Sequence, residues 1–225
     1  MRKSILIILT VLLCGCGNKY QYIPKDIEPI EVEIVRFDSS LLAVRMDSVQ
    51  KDVAHLYADF EDFIPLYVEG VLHIPVVDTA YFCEQLVGFL TDTAYGFAQT
   101  NQLAQQKFAN IDSLQQSLNT AFSRLHYIYP DWPIPTIYLF VSGFNSTVIY
   151  YDDMMGVGTD MYLGKDYPYY NHVVYDYQKP TMEKEFVARD VMSTYISYHM
   201  AFNSKYNRLL EHMIFRGKQL FLLSQ

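Results

Sequence analysis

The sequence predicts an α+β fold: a mainly helical first part, then a small sheet, then a pair of helices. Three observations lead there. Apolar residues recur at three- and four-residue spacing in successive stretches up to residue 128, which marks amphipathic helices. Tyr129–Pro135 (Y-P-D-W-P-I-P) then places three prolines in six residues, and no helix continues through that. Beyond it come short runs of β-branched and aromatic residues bounded by turn formers, which read as strands. An apolar content of 51%, with 20 tyrosines and 14 phenylalanines, supplies ample core and argues against disorder.

The N-terminus bears on location. Met1-Arg2-Lys3 is a short basic start, Ser4–Leu13 is an apolar run, and Leu13-Cys14-Gly15-Cys16 closes it. The run is too short for a mature transmembrane helix and has the form of an export signal. Leucine, small residues and then cysteine resemble a bacterial lipobox, with cleavage before Cys16 and acylation of that residue. Residues 1–15 are then the signal peptide. Residues 16–30, polar and broken by Pro24 and Pro29, are a tether between lipid and domain. On that reading Cys14 is lost and Cys83 is the one thiol left in the folded body, so no internal disulfide forms. Cys83 lies in an apolar helical stretch and reads as a small buried hydrophobe.

The formal net charge is −8, and removing Arg2 and Lys3 makes the chain more acidic still. With no basic cluster to offset this, no nucleic-acid partner is expected.

Taken in order, residues 31–128 form the helical part. Glu31–Phe37 alternates and predicts a first strand. Asp38 caps a helix whose stripe is Leu42, Met46, Val49, Val53 and Leu56, ending near Phe60. Phe63–Pro75, interrupted by Pro65 and Gly70, reads as loop with one helical turn. Asp78 starts a helix to about Leu90, and Asp92 restarts one carrying Tyr95, Phe97 and Leu103. Ile111, Leu114, Leu118, Ala121 and Leu125 make a further stripe.

Residues 129–225 form the second part. Thr136–Phe144, Ser146–Tyr151 and Val157–Leu163 predict three strands, with a turn at Asp152–Gly156. Gly164–Lys179 is an aromatic-rich loop, and a helix over Met182–Tyr198 follows with Thr181 as its N-cap. Asn207–Leu223 predicts the last helix, with Leu209, Leu210, Met213, Ile214 and Leu220 inside. The apolar end at Leu220–Gln225 has no stop signal, so the chain reads as cut short.

The Met182–Tyr198 helix contains V-A-R-D-V-M-S-T-Y. Helices reading V-A-H-E-x-x-H-x-Y hold zinc in metallopeptidases, two histidines one turn apart binding the ion and the glutamate activating water. Here Arg189, Asp190 and Ser193 occupy those places. Arginine has no lone pair to offer a metal, and serine is a poor substitute for imidazole. The frame of a zinc helix without its ligands points to a non-catalytic protein with no cofactor. A zinc metallopeptidase-like hydrolase with atypical ligands is the alternative.

Three stretches carry a resemblance: Tyr127–Phe144, V-G-T-D-M-Y-L-G-K-D-Y-P-Y-Y, and L-L-E-H-M-I-F-R-G-K-Q-L-F near the end. With the lipobox they resemble the gliding-motility lipoprotein B family of the Bacteroidetes over nearly the whole chain. The resemblance implies a zinc-peptidase-like (zincin) core and a further C-terminal lobe missing here. It also implies that Arg216 stands where active relatives place a glutamate ligand, so that Arg189, Arg216 and Asp190 replace the metal as an arginine–aspartate cluster; the alternative is that Arg189 pairs with Glu185 one turn earlier on a solvated face. The expected role is an interaction or scaffold component of gliding or secretion machinery. It would sit in the cell envelope facing the periplasm, held to a membrane by its lipid and touching other envelope proteins. An aromatic loop containing Tyr167, Tyr169, Tyr170 and Tyr175 is a candidate contact surface, because exposed tyrosine offers large area at low entropic cost.

The remaining candidates are weaker. The six histidines are scattered without an H-x₃-H pair, though His199 and His212 are able to approach in space. Asp152, Asp153 and Asp160 bracket a turn but lack EF-hand spacing. Ser142 lacks the surround of a nucleophile elbow.

Overall fold

The computed structural model describes residues 23–24, 26–75, 77–202, 205 and 207–225. The lipidation site at Cys16 lies outside them. The fold is α+β, organised on a mixed four-stranded sheet: β1 (Ile34–Val35), β2 (Thr136–Phe140), β3 (Val148–Tyr151) and β4 (Met154–Gly158), in the order β1-β2-β4-β3. β1 and β4 run parallel to β2, and β3 and β4 form an antiparallel hairpin. Because β1 comes from the helical part, the two parts share one sheet. Buried side chains from Val32 to Ile196 form one continuous core.

The helices are α1 (Phe37–Leu42), α2 (Val49–Asp59), α3 (Thr79–Thr91), α4 (Phe97–Lys107), α5 (Asp112–Ile128), the short α6 (Tyr170–Val173), α7 (Val187–His199) and α8 (Leu209–Leu223). Asp78 caps α3 as expected, accepting the Tyr81 N–H at 2.9 Å. The single helix expected from Asp38 to Phe60 is instead two. Arg45 N–H turns back to Asp52 Oδ2 at 3.1 Å and closes the chain between them, which leaves Met46 exposed. Asp38 is no cap. It is fully buried inside α1, held by the Arg36 guanidinium at 2.8 and 2.9 Å. Leu66–Val71 forms a π-helix inside the stretch read as loop, with Tyr67, Val68 and Val71 buried.

Two layers cover the sheet. On one face Tyr138 stacks on Phe63 at 4.1 Å and Phe140 meets Tyr67 edge-on. On the other, Tyr150 packs against Tyr195 and Tyr198 of α7, and Phe122 of α5 packs against Tyr195 from behind. Such aromatic pairs add about 1 kcal/mol each beyond their buried area.

The third strand and its turn fall earlier than the sequence suggests. The turn is only Asp152-Asp153, with φ of 44° and 62°, the two positive values a two-residue hairpin turn requires. β4 therefore starts at Met154, and Thr159–Tyr162 is a 3₁₀ turn instead of strand. The last helix is corrected more deeply. Leu209, Leu210, Met213, Ile214 and Leu220 are all at least half exposed, and the buried residue of α8 is Gln219.

Candidate functional site

The site begins with the entry to α7. Residues 179–186 make two 3₁₀ turns before the helix starts at Val187, so Thr181 is not its cap; the Thr181 hydroxyl donates to the Gln178 carbonyl. Glu183 explains the delay. It is extended, bridges to Leu163, and its carboxylate accepts the Lys165 N–H at 2.9 Å and the Lys107 ammonium at 3.0 Å. The Lys165 amide, with Lys107 behind it, holds that carboxyl below the usual range.

α7 therefore presents Arg189 and Asp190 in its first turn. Arg189 Nε and Nη2 both reach Asp190 Oδ1, at 2.8 and 2.6 Å, while the guanidinium lies 4.5 Å over the Phe186 ring. The buried Tyr162 donates its hydroxyl to Asp190 Oδ2 at 3.0 Å. Burial first, then this carboxylate, pushes the Tyr162 phenol far above its ordinary value, so it remains a donor. Both oxygens of Asp190 are thus engaged by groups of this chain. The pairing of Arg189 is with its neighbour Asp190, and the alternative i,i+4 contact to Glu185 is not among the ion pairs of the described residues.

Arg216 does not join this pair. It is exposed on α8 and donates to Gln219 Oε1 at 2.8 Å, and Gln219 in turn reaches Ser197 Oγ at 3.3 Å. Ser197 is seven residues beyond Asp190, about 10 Å along the helix axis. The expected convergence of two guanidinium groups on one carboxylate is therefore reduced to the Arg189–Asp190 pair. Ser193, one turn after Asp190, is half-buried. Among the described residues no group of three or more His, Cys, Asp or Glu side chains is gathered as metal ligands would be. His199 and His212 do not meet: His199 stacks on Trp132, and His212 stacks on Phe202.

The tyrosine loop divides in two. Tyr170 is fully buried, accepting the Leu163 N–H and donating to the Asp160 carbonyl at 2.8 Å each, so it belongs to the core and not to a contact surface. Tyr167 and Tyr169 are half-buried against Phe144. Tyr175 is 71% exposed and stacks on Tyr177.

Two arrangements carry no sequence signature. Ser142 and Asp160, set aside as nucleophile and calcium ligand, form one buried unit: Asp160 accepts Ser142 N–H, Ser142 Oγ and Phe144 N–H at 2.7–3.1 Å. Asp160 is thereby removed from Asp152 and Asp153, which sit at the hairpin tip. The second is Tyr150, whose hydroxyl lies 3.0 Å from both Asp153 Oδ1 and His199 Nε2. Burial lowers the His199 pKa, keeping the ring neutral. Only the tertiary fold brings these residues together.

A family model described as gliding motility protein GldB matches residues 20–225. The chain belongs to the GldB family. No curated protein and no solved structure matches it. The match spans the whole described fold, so the sheet, α7 and the Arg189–Asp190–Tyr162 cluster all lie within the GldB family region.

Proposed function

We propose that this member of the GldB family is a lipid-anchored envelope protein acting as a non-catalytic interaction component of gliding or secretion machinery. The observation that supports this best is the state of Asp190. A metallopeptidase helix needs that carboxylate free to activate water beside a Lewis-acidic ion. Here one oxygen takes the Arg189 guanidinium and the other the Tyr162 hydroxyl, and Arg189 itself stands where a ligand belongs. The α7 frame reads as a zincin-like helix whose ionic centre is now an internal salt bridge. In this reading Cys16 carries the lipid, residues 16–30 are the tether, and the folded body faces the periplasm. Tyr175, with its neighbour Tyr177, offers the exposed part of the aromatic loop to a partner.

The test pairs metal content with function. The purified protein, dialysed against zinc and measured by plasma mass spectrometry, is expected to hold far less than one zinc per chain and to leave casein intact. Asp190→Asn keeps an oxygen for Tyr162, so it should cost only about 1 kcal/mol of stability and should complement a strain lacking the gene. Cys16→Ser should leave the membrane fraction and fail to complement. Stoichiometric zinc, with activity lost in Asp190→Asn, overturns the reading in favour of an atypical hydrolase.

A further inference from the structure

We propose that the outer edge of β3 is a docking site for an extended segment of a partner protein, which adds to the sheet as a fifth strand. This names the surface for the interaction role proposed above and rests on it.

The hairpin register fixes which backbone groups are free. Gly158 N–H donates to the Thr147 carbonyl at 2.9 Å, so residues 147 and 158 are a hydrogen-bonded pair. Such pairs alternate along an antiparallel ladder. Ile149↔Gly156 and Tyr151↔Met154 are then bonded, whereas Val148↔Val157 and Tyr150↔Met155 point their N–H and C=O groups away from each other. On β4 the outward groups meet β2, as the Thr136 N–H to Asp153 carbonyl bond shows. On β3, the sheet's edge, no further strand is paired among the described residues, so the register leaves the Val148 and Tyr150 N–H and C=O groups turned outward without a ladder partner.

The opposite edge is treated differently. β1 is two residues long, and α5 seals the chain beside it: Asn119 Oδ1 accepts the Val32 N–H at 2.9 Å and Gln115 Nε2 donates to the Val32 carbonyl at 2.7 Å. Free edges are usually blunted by proline, lysine or a bulge because they template pairing with other chains. Ser146–Tyr151 (S-T-V-I-Y-Y) carries none of these. Its flanks suit an added strand. Tyr198, whose ring packs tilted against Tyr150, is 62% exposed on one face, and Tyr151 is 60% exposed on the other. Asp152 and Asp153 are exposed at the tip, which calls for a basic side chain at the adjoining end of the incoming segment. Main-chain bonds then supply affinity, and the tyrosines and aspartates select the sequence.

The test uses the full chain in detergent and a displayed library of random nine-residue peptides as probe. Peptides with a Lys or Arg near one end are expected to be enriched and to bind at least tenfold more weakly to Val148→Pro. That substitution removes an outward donor and leaves the β3–β4 ladder bonds intact; because Val148 also packs against the core, the free variant is checked by Ile149 and Tyr151 amides as protected as in wild type. Amide exchange by NMR gives a second readout. The Val148 and Tyr150 amides should exchange much faster than those of Ile149 and Tyr151 in the free protein, and should slow on peptide binding. Equal binding to Val148→Pro, no enriched peptide, or slow exchange at both positions in the free protein overturns the proposal. So does a dimer that Val148→Pro dissolves, since the edge would then serve a second copy. Stoichiometric zinc alongside peptide protection would sink only the non-catalytic reading.

Discussion

Replacing Asp160 by alanine is expected to remove about 4 kcal/mol of folding stability, the cost of leaving buried donors without acceptors. The carboxylate is fully buried and accepts two backbone N–H groups and the Ser142 hydroxyl, so alanine orphans three donors at once. Against a typical total of about 5–15 kcal/mol this is a large fraction, visible as a shifted urea midpoint at unchanged slope. Asparagine is no rescue, because its amide would turn a donor toward donors. The pH dependence separates charge from hydrogen bonding. Burial pushes the Asp160 carboxyl above its ordinary value, ahead of the hydrogen bonds that lower it. A group whose folded pKa is raised contributes stability that is complete below its unfolded value, near 4, and lost as pH rises through the folded value. Wild type should therefore exceed Asp160→Asn by a larger margin in acid than at neutral pH. Carboxyls held low, such as Glu183, act in the opposite direction, but they are common to both proteins and cancel in the difference. A margin that grows with pH would mean that the Ser142 and Phe144 donors outweigh burial.

What the sequence makes legible here is what local periodicity controls. The Ile111–Leu125 stripe, the Asp78 cap, the proline break and the α+β order all depend on residues within a turn or two of one another, and each is found in place. The differences arise where distant groups compete for the same backbone. Met182–Phe186 has helical spacing, yet Leu163 pairs with Glu183 and the Gly164 N–H takes the Met182 carbonyl, so the helix waits until Val187. Asp152-Asp153 makes a hairpin turn without the Asn-Gly pair that would announce it. In α8 the apolar stripe was legible but not its direction: the contact with α7 runs through Gln219 and Ser197, which turns Leu209, Leu210 and Met213 outward. The helix pair shows the same limit. Arg189 beside Asp190 is local and is found together, whereas bringing Arg216 to them depended on how α8 lies against α7, which no spacing encodes.

The second large effect is expected at Gly158. A Cβ built there would stand 2.1 Å from the Ser146 carbonyl oxygen, a backbone atom that no rotamer change moves aside. Gly158→Ala should therefore cost about 3 kcal/mol or more, in the range of overpacked cores. Gly156 is the control. Its added Cβ would meet Phe140 and Ile149 side chains at 2.6 and 2.8 Å, which are able to shift, so Gly156→Ala should cost about half as much. The φ of Gly158 is −75°, so the requirement is for space and not for a left-handed backbone. The space matters because it lets Ser146–Val148 lie close against β4 and sets the phase in which Val148 and Tyr150 face outward. Pushing residues 146–147 away breaks the bond from Gly158 N–H to the Thr147 carbonyl that fixes this phase. In Gly158→Ala the Ile149 amide should lose protection in exchange experiments while the core amides of α5 keep theirs. An Ile149 amide as protected as in wild type would mean that the clash is absorbed elsewhere and that the edge does not depend on this glycine.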